Sequence, residues 1–100
     1  MSEVDLDALV EEATVDCYND DEQVTGLYTM IVDNLALPFR TRVFGVDVTV
    51  DSVDLTSPGV IVAICHRGAD QQAIPILELP LSTPPPDGAE WIAAYRRWTG

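Results

Sequence analysis

The spacing of apolar positions changes along the chain. Leu6, Leu9, Val10, Ala13 and Cys17 recur at intervals of three and four, and so do Val24, Leu27, Tyr28, Ile31 and Leu35. Each set lays an apolar stripe along one helix face, which predicts helices over 4–18 and 21–36. Asn19 and Asp20 separate them, and Asp20 with Gln23 has the spacing of a capping box. Pro38 ends the second helix, because the residue before a proline avoids helical dihedrals. Residues 4–37 therefore read as a helical hairpin.

After Pro38 the period becomes two. Residues 40–44 read as a short strand and Gly45 as a bend. Val46, Val48 and Val50 alternate with Asp47, Thr49 and Asp51, the pattern of a half-buried strand. Val53 and Leu55 continue on the other parity, which predicts a β-bulge near positions 51–52. Ser57, Pro58 and Gly59 form a turn, and Arg67, Gly68, Ala69 and Asp70 form another. Between them residues 60–65 are apolar without a break, as in a strand covered on both faces. Residues 71–79 make a last strand, which Pro75 restricts to an edge or irregular position. The strands of 40–79 suggest an antiparallel meander curling into a small, partly open barrel. Pro84, Pro85 and Pro86 form a stiff connector. Asp87 then looks like the N-cap of a C-terminal helix over 87–98, with Trp91, Ile92, Tyr95 and Trp98 on the face that closes the core. Arg96 and Arg97 suit the negative end of its dipole. The expected class is α+β, in one domain over 1–100.

Composition changes the picture in one respect. At 100 residues and 47% hydrophobic, the chain can bury a single modest core. Its charge is unusual: 17 acidic residues face five arginines and no lysine, for a net −12. Such a surface repels nucleic acid and anionic membranes and favours cations or a basic protein partner. Adaptation to high salt also replaces lysine by acids and accounts equally well for the overall balance. The start, MSEVDLDALVEE, lacks the basic and apolar regions of a signal peptide, and no apolar run nears the ~20 residues of a membrane span. A cytoplasmic monomer is expected, with Cys17 and Cys65 reduced. Cys65 and His66 are adjacent in a strand and point to opposite faces, so they cannot readily share a metal. No nucleophile is paired with a base, and no enzyme is expected.

The acids are unevenly placed. Glu11, Glu12, Asp16, Asp20, Asp21, Glu22 and Asp33 lie within residues 10–34 with no arginine among them. Asp20, Asp21 and Glu22 fall where a helix begins and its amide dipole favours negative charge. Glu12 and Asp16 are four apart, a repulsive spacing on a helix. Asp16 and Asp33 lie toward predicted helix ends, where the dipole opposes an acid. A bound cation would reverse each of these unfavourable terms. An all-oxygen ligand set points to a hard ion, and an irregular one to calcium over magnesium. An EF-hand loop does not fit. With Asp16 at loop position one, position six is Asp21 in place of glycine, and position twelve is Leu27 in place of glutamate.

The runs EEATVDCYNDDEQVTGLYTMIVDNLALPF, VFGVDVTVDSVDL, IPILELPL and PPPDGAEWIAAYRRW resemble, in this order, the small bacterial calcium-binding family called CcbP-like. The likeness spans about residues 8–98. It implies a compact α+β fold that binds Ca2+ through carboxylates outside any EF-hand and buffers or senses calcium in the cytosol. By position it implies Asp33 first as a metal ligand, and then the acids around Asp16 and Asp20. With the residues singled out by charge, the expected ligands are Asp33, Asp16, Glu12, Asp20, Asp21 and Glu22. The second expectation is an acidic module that docks on a basic protein without metal.

Overall fold

The computed structural model describes residues 5–56, 59–81 and 83–100. Helix α1 spans Leu6–Ala13 and α2 spans Asp20–Asn34, so the hairpin is present with shorter arms than expected. Asp5 caps α1 by accepting from the Ala8 N–H at 3.2 Å. At its end the Val10 carbonyl accepts from both the N–H and the hydroxyl of Thr14. The Cys17 N–H then donates to the Thr14 carbonyl, and Asp16 turns the chain at φ 63°. Cys17 thus lies off the helix, half-buried, its thiol donating to the Glu22 carbonyl at 3.4 Å.

The cap of α2 also differs from expectation. Asn19, not Asp20, occupies the N-cap and accepts from the Glu22 N–H at 2.9 Å. Glu22 reaches back and accepts from the Tyr18 N–H at 2.8 Å. The pair resembles a capping box in which Glu22 takes the amide one residue before the N-cap, and it satisfies two amide donors at once. Farther along α2, a Cβ at Gly26 would stand 2.1 Å from the Ala13 carbonyl oxygen. Only glycine lets the end of α1 approach α2 this closely.

The four strands are β1 (Phe39–Val43), β2 (Val46–Leu55), β3 (Ile61–Arg67) and β4 (Asp70–Pro75), antiparallel and in sequential order. The sheet is open, with β1 and β4 as its edges, so the meander holds and the barrel does not close. The bulge is where the change of parity placed it: Val50 pairs with Cys65 and Ser52 with Ile64, the register shifting between them. The last strand is shorter than 71–79. Pro75 ends it, and Ile76–Glu78 form a 3-10 turn that buries Ile76. Ser57 and Pro58 of the expected turn, and residue 4 of the expected first helix, lie outside the described residues.

Helix α3 spans Ala89–Thr99. Its N-cap is Gly88 at φ 88°, without a side-chain cap, so Asp87 does not cap it. Asp87 instead offers its carbonyl to the Ala36 N–H at 2.8 Å, tying the start of α3 to the end of α2. Trp91, Ile92, Ala94 and Tyr95 are buried. They join Leu27, Ile31, Val50, Ile61 and Ala63 in one core between the helices and one face of the sheet. Trp98 is half-buried and donates from its indole nitrogen to Gln23 Oε1 at 2.8 Å. Arg97 grips both oxygens of Asp7 at 3.0 and 3.4 Å, and Arg96 donates to the Leu77 carbonyl at 2.6 Å. Among the described residues no helix is long and apolar enough to cross a membrane.

Candidate acidic site

All six expected ligands are exposed. Glu12 lies in the last turn of α1, and Asp16 in the loop after it in the left-handed conformation. Asp20, Asp21 and Glu22 form the first turn of α2, and Asp33 lies in its last turn. Neither α1 nor α2 has a basic residue in its final turn. Asp33 is therefore opposed by its helix dipole, as its position in the sequence implied. Asp16 escapes that opposition, because α1 ends before reaching it.

The fold divides these acids into separate groups. Asp16, Asp20, Asp21 and Glu22 surround the α1–α2 connection. Asp33 lies at the other end of α2, thirteen residues on from Asp20. At 1.5 Å per residue that is roughly 20 Å along the axis. Calcium ligands stand about 2.3–2.6 Å from the ion, so Asp33 and Asp20 cannot share one. Glu22 is already engaged by the Tyr18 amide. Among the described residues, no three His, Cys, Asp or Glu groups come together as a metal-holding cluster.

The ion pairs among the described residues lie elsewhere: Arg42 pairs with Asp47 at 3.1 Å and Arg97 with Asp7 at 3.0 Å, and the His66 ring meets Asp51. Among the described residues none of the six candidate acids has such a partner. Burial, aided by the charge of Asp51, pushes the Cys65 thiol above its ordinary pKa of 9.0. Cys65 is thus a core residue held in its neutral form, on the opposite sheet face from His66. Val15 and Tyr18, neither of them on the apolar stripe of α1, stand exposed at 66% and 90% beside the acids of the α1–α2 connection. No protein family matches the chain, and no curated protein or solved structure does.

Proposed function

We propose that the chain takes up calcium on the acidic surface of its helical hairpin and acts as a cytosolic calcium buffer. The observation that carries this reading is that Glu12, Asp16, Asp20, Asp21, Glu22 and Asp33 are exposed and, among the described residues, not paired with any cationic side chain. Carboxylates left without counter-charge are what a hard, oxygen-seeking ion needs. The resemblance to the CcbP-like family supports the same ion. Because the acids do not converge, affinity is expected in the weak range, since calcium sites tighten with ligand charge and rigidity. A buffer suits the build of the molecule better than a sensor. Gly88 abuts the end of α2, Arg97 holds Asp7, and Trp98 holds Gln23, so the three helices are tied to one another. A buffer requires no change of shape, whereas a sensor does.

Asp33 is the position to test first. At a helix C-terminus the dipole attracts a cation, and the last-turn carbonyls lack intrahelical donors. At the other end of α2 the dipole works against a cation. Calorimetric titration with calcium in low salt should show Asp33→Asn binding at least tenfold more weakly than wild type, and Asp21→Asn binding nearly as well. An Asp33→Asn variant that binds as tightly as wild type would remove the ligand role from this position.

One observation favours a second reading, an acidic docking module for a basic protein. Tyr18 and Val15 place exposed apolar area inside the acidic rim, a combination that aromatic-anchored interfaces use. On that reading an arginine-rich peptide binds without calcium, and Tyr18→Ser weakens the peptide while leaving calcium uptake unchanged.

A further inference from the structure

The free end of the sheet carries a feature the acidic surface does not explain. Phe44 and Gly45 form the two-residue turn between β1 and β2, closed by the Val43–Val46 pair, with φ 50° and 77°. Two successive positive φ values are the signature of a type I′ hairpin turn, whose first position favours Asn, Asp or Gly. A phenylalanine there is costly for the backbone, and its ring is fully exposed. Local folding gives no reason for that choice.

Beside this ring, and bordered by it, lies a groove of about 310 Å³ whose apolar lining is Val43, Val46, Val48 and Ile74 and whose polar lining includes Arg67 and Asp70. Val46 and Val48 share a sheet face with Val50, which lies in the core, so the groove continues the core face past the cover of the helices. Its volume is at the lower limit for small-molecule sites. It suits one large side chain.

We propose that the occupant is Phe44 of a second copy of this chain, in a twofold dimer in which each ring enters the other copy's groove. Self-complementarity follows from the layout, because the exposed ring and the groove with its valine and isoleucine lining adjoin on one surface. An isologous contact needs that arrangement. Charge selects the same surface. Residues 40–75 set Arg40, Arg42 and Arg67 against Asp47, Asp51, Asp54 and Asp70, a balance of −1 within a chain of −12. The rest of the molecule, at −11, repels its own kind, and the sheet is where two copies can approach. A basic partner would be drawn to the helices instead. The contact departs from the monomer expected from sequence. A contact confined to one ring and one groove on each copy makes a weak association that depends on protein concentration.

Sedimentation equilibrium over a range from about 10 µM to 1 mM tests this. Wild type is expected to move from 10.9 kDa toward twice that mass as concentration rises. Added NaCl should favour the dimer, because it screens the −12 charge while leaving the apolar contact intact. Phe44→Asn removes the ring and supplies a residue that the turn prefers, so this variant should remain monomeric with an unchanged or raised Tm. Val46→Arg, in the groove, should also abolish the dimer. A wild type that stays at 10.9 kDa throughout would overturn the proposal. So would a Phe44→Asn variant that associates as strongly as wild type.

Discussion

Gly88 sits where α2 ends and α3 begins, and two independent constraints act on it. Its φ of 88° disfavours any L side chain, and a Cβ would lie 2.1 Å from the Asn34 carbonyl oxygen. A left-handed residue costs roughly 1–2 kcal/mol, and overpacking adds about 1–3 kcal/mol. Gly88→Ala is expected to lose about 3 kcal/mol in urea unfolding, whereas Gly68→Ala, with open space around it, should lose only the backbone part. In the sequence Gly88 reads as an ordinary first helical residue behind a capping aspartate. The approach of Asn34 is a tertiary fact that no local pattern encodes. Cys65 allows a second test at this scale. The unfolded chain ionises this thiol near its ordinary pKa of 9.0, while the folded state holds the proton to higher pH. Below pH 9.0 both states are protonated and the group has no effect. Above it the unfolded state alone loses the proton, so stability falls as pH rises. Thermal unfolding between pH 8 and 10 should show a shallower loss for Cys65→Ala than for wild type, even though the variant starts from a lower Tm. The half-buried Cys17 should meanwhile react with a thiol reagent well before Cys65.

At the scale of elements, period was legible and ends were not. The helical stripes, the alternation of β2 and the bulge at positions 51–52 all follow from which side chains face the core, and a sequence displays that directly. The end of α1 goes with the left-handed turn of Asp16, at φ 63°, which apolar spacing does not register. The cap of α2 moved by one residue because Asn19 and Asp20 are both good caps, and the Glu22–Tyr18 bond decides between them. Asn19→Ala should therefore cost about 1 kcal/mol and Asp20→Ala only a few tenths. Equal losses would put the cap back at Asp20. Trp91 anchors α3 with 6% of its surface exposed. Trp91→Ala is expected to cost about 3–5 kcal/mol, a large part of the stability of a domain this size. Chemical denaturation measures it, and a midpoint equal to wild type would mean that α3 contributes little to the core.

For the whole molecule, the uneven charge was legible as a count but not as a distribution. The sequence shows acids crowded into residues 10–34, and the fold then spreads them along both ends of α2, so that crowding in sequence is not convergence in space. Calcium and simple screening consequently make overlapping predictions for stability. Any salt relieves repulsion in a chain of −12 and should raise Tm. A site adds to this by mass action: calcium at ~100 times its Kd stabilises a folded state that alone binds it by about 2.7 kcal/mol. The comparison must therefore be made at fixed ionic strength, with calcium, magnesium and sodium chloride in parallel. Magnesium prefers a near-octahedral set and gives up its water reluctantly, so a loose arrangement of carboxylates should favour calcium over it. The expected order of Tm is calcium highest, magnesium clearly below, and sodium lowest. The calcium increment should shrink in Asp33→Asn while the sodium response stays the same. If the two divalent ions raise Tm equally and Asp33→Asn changes neither, general screening accounts for the effect, and the acids of the hairpin act as a solvated surface.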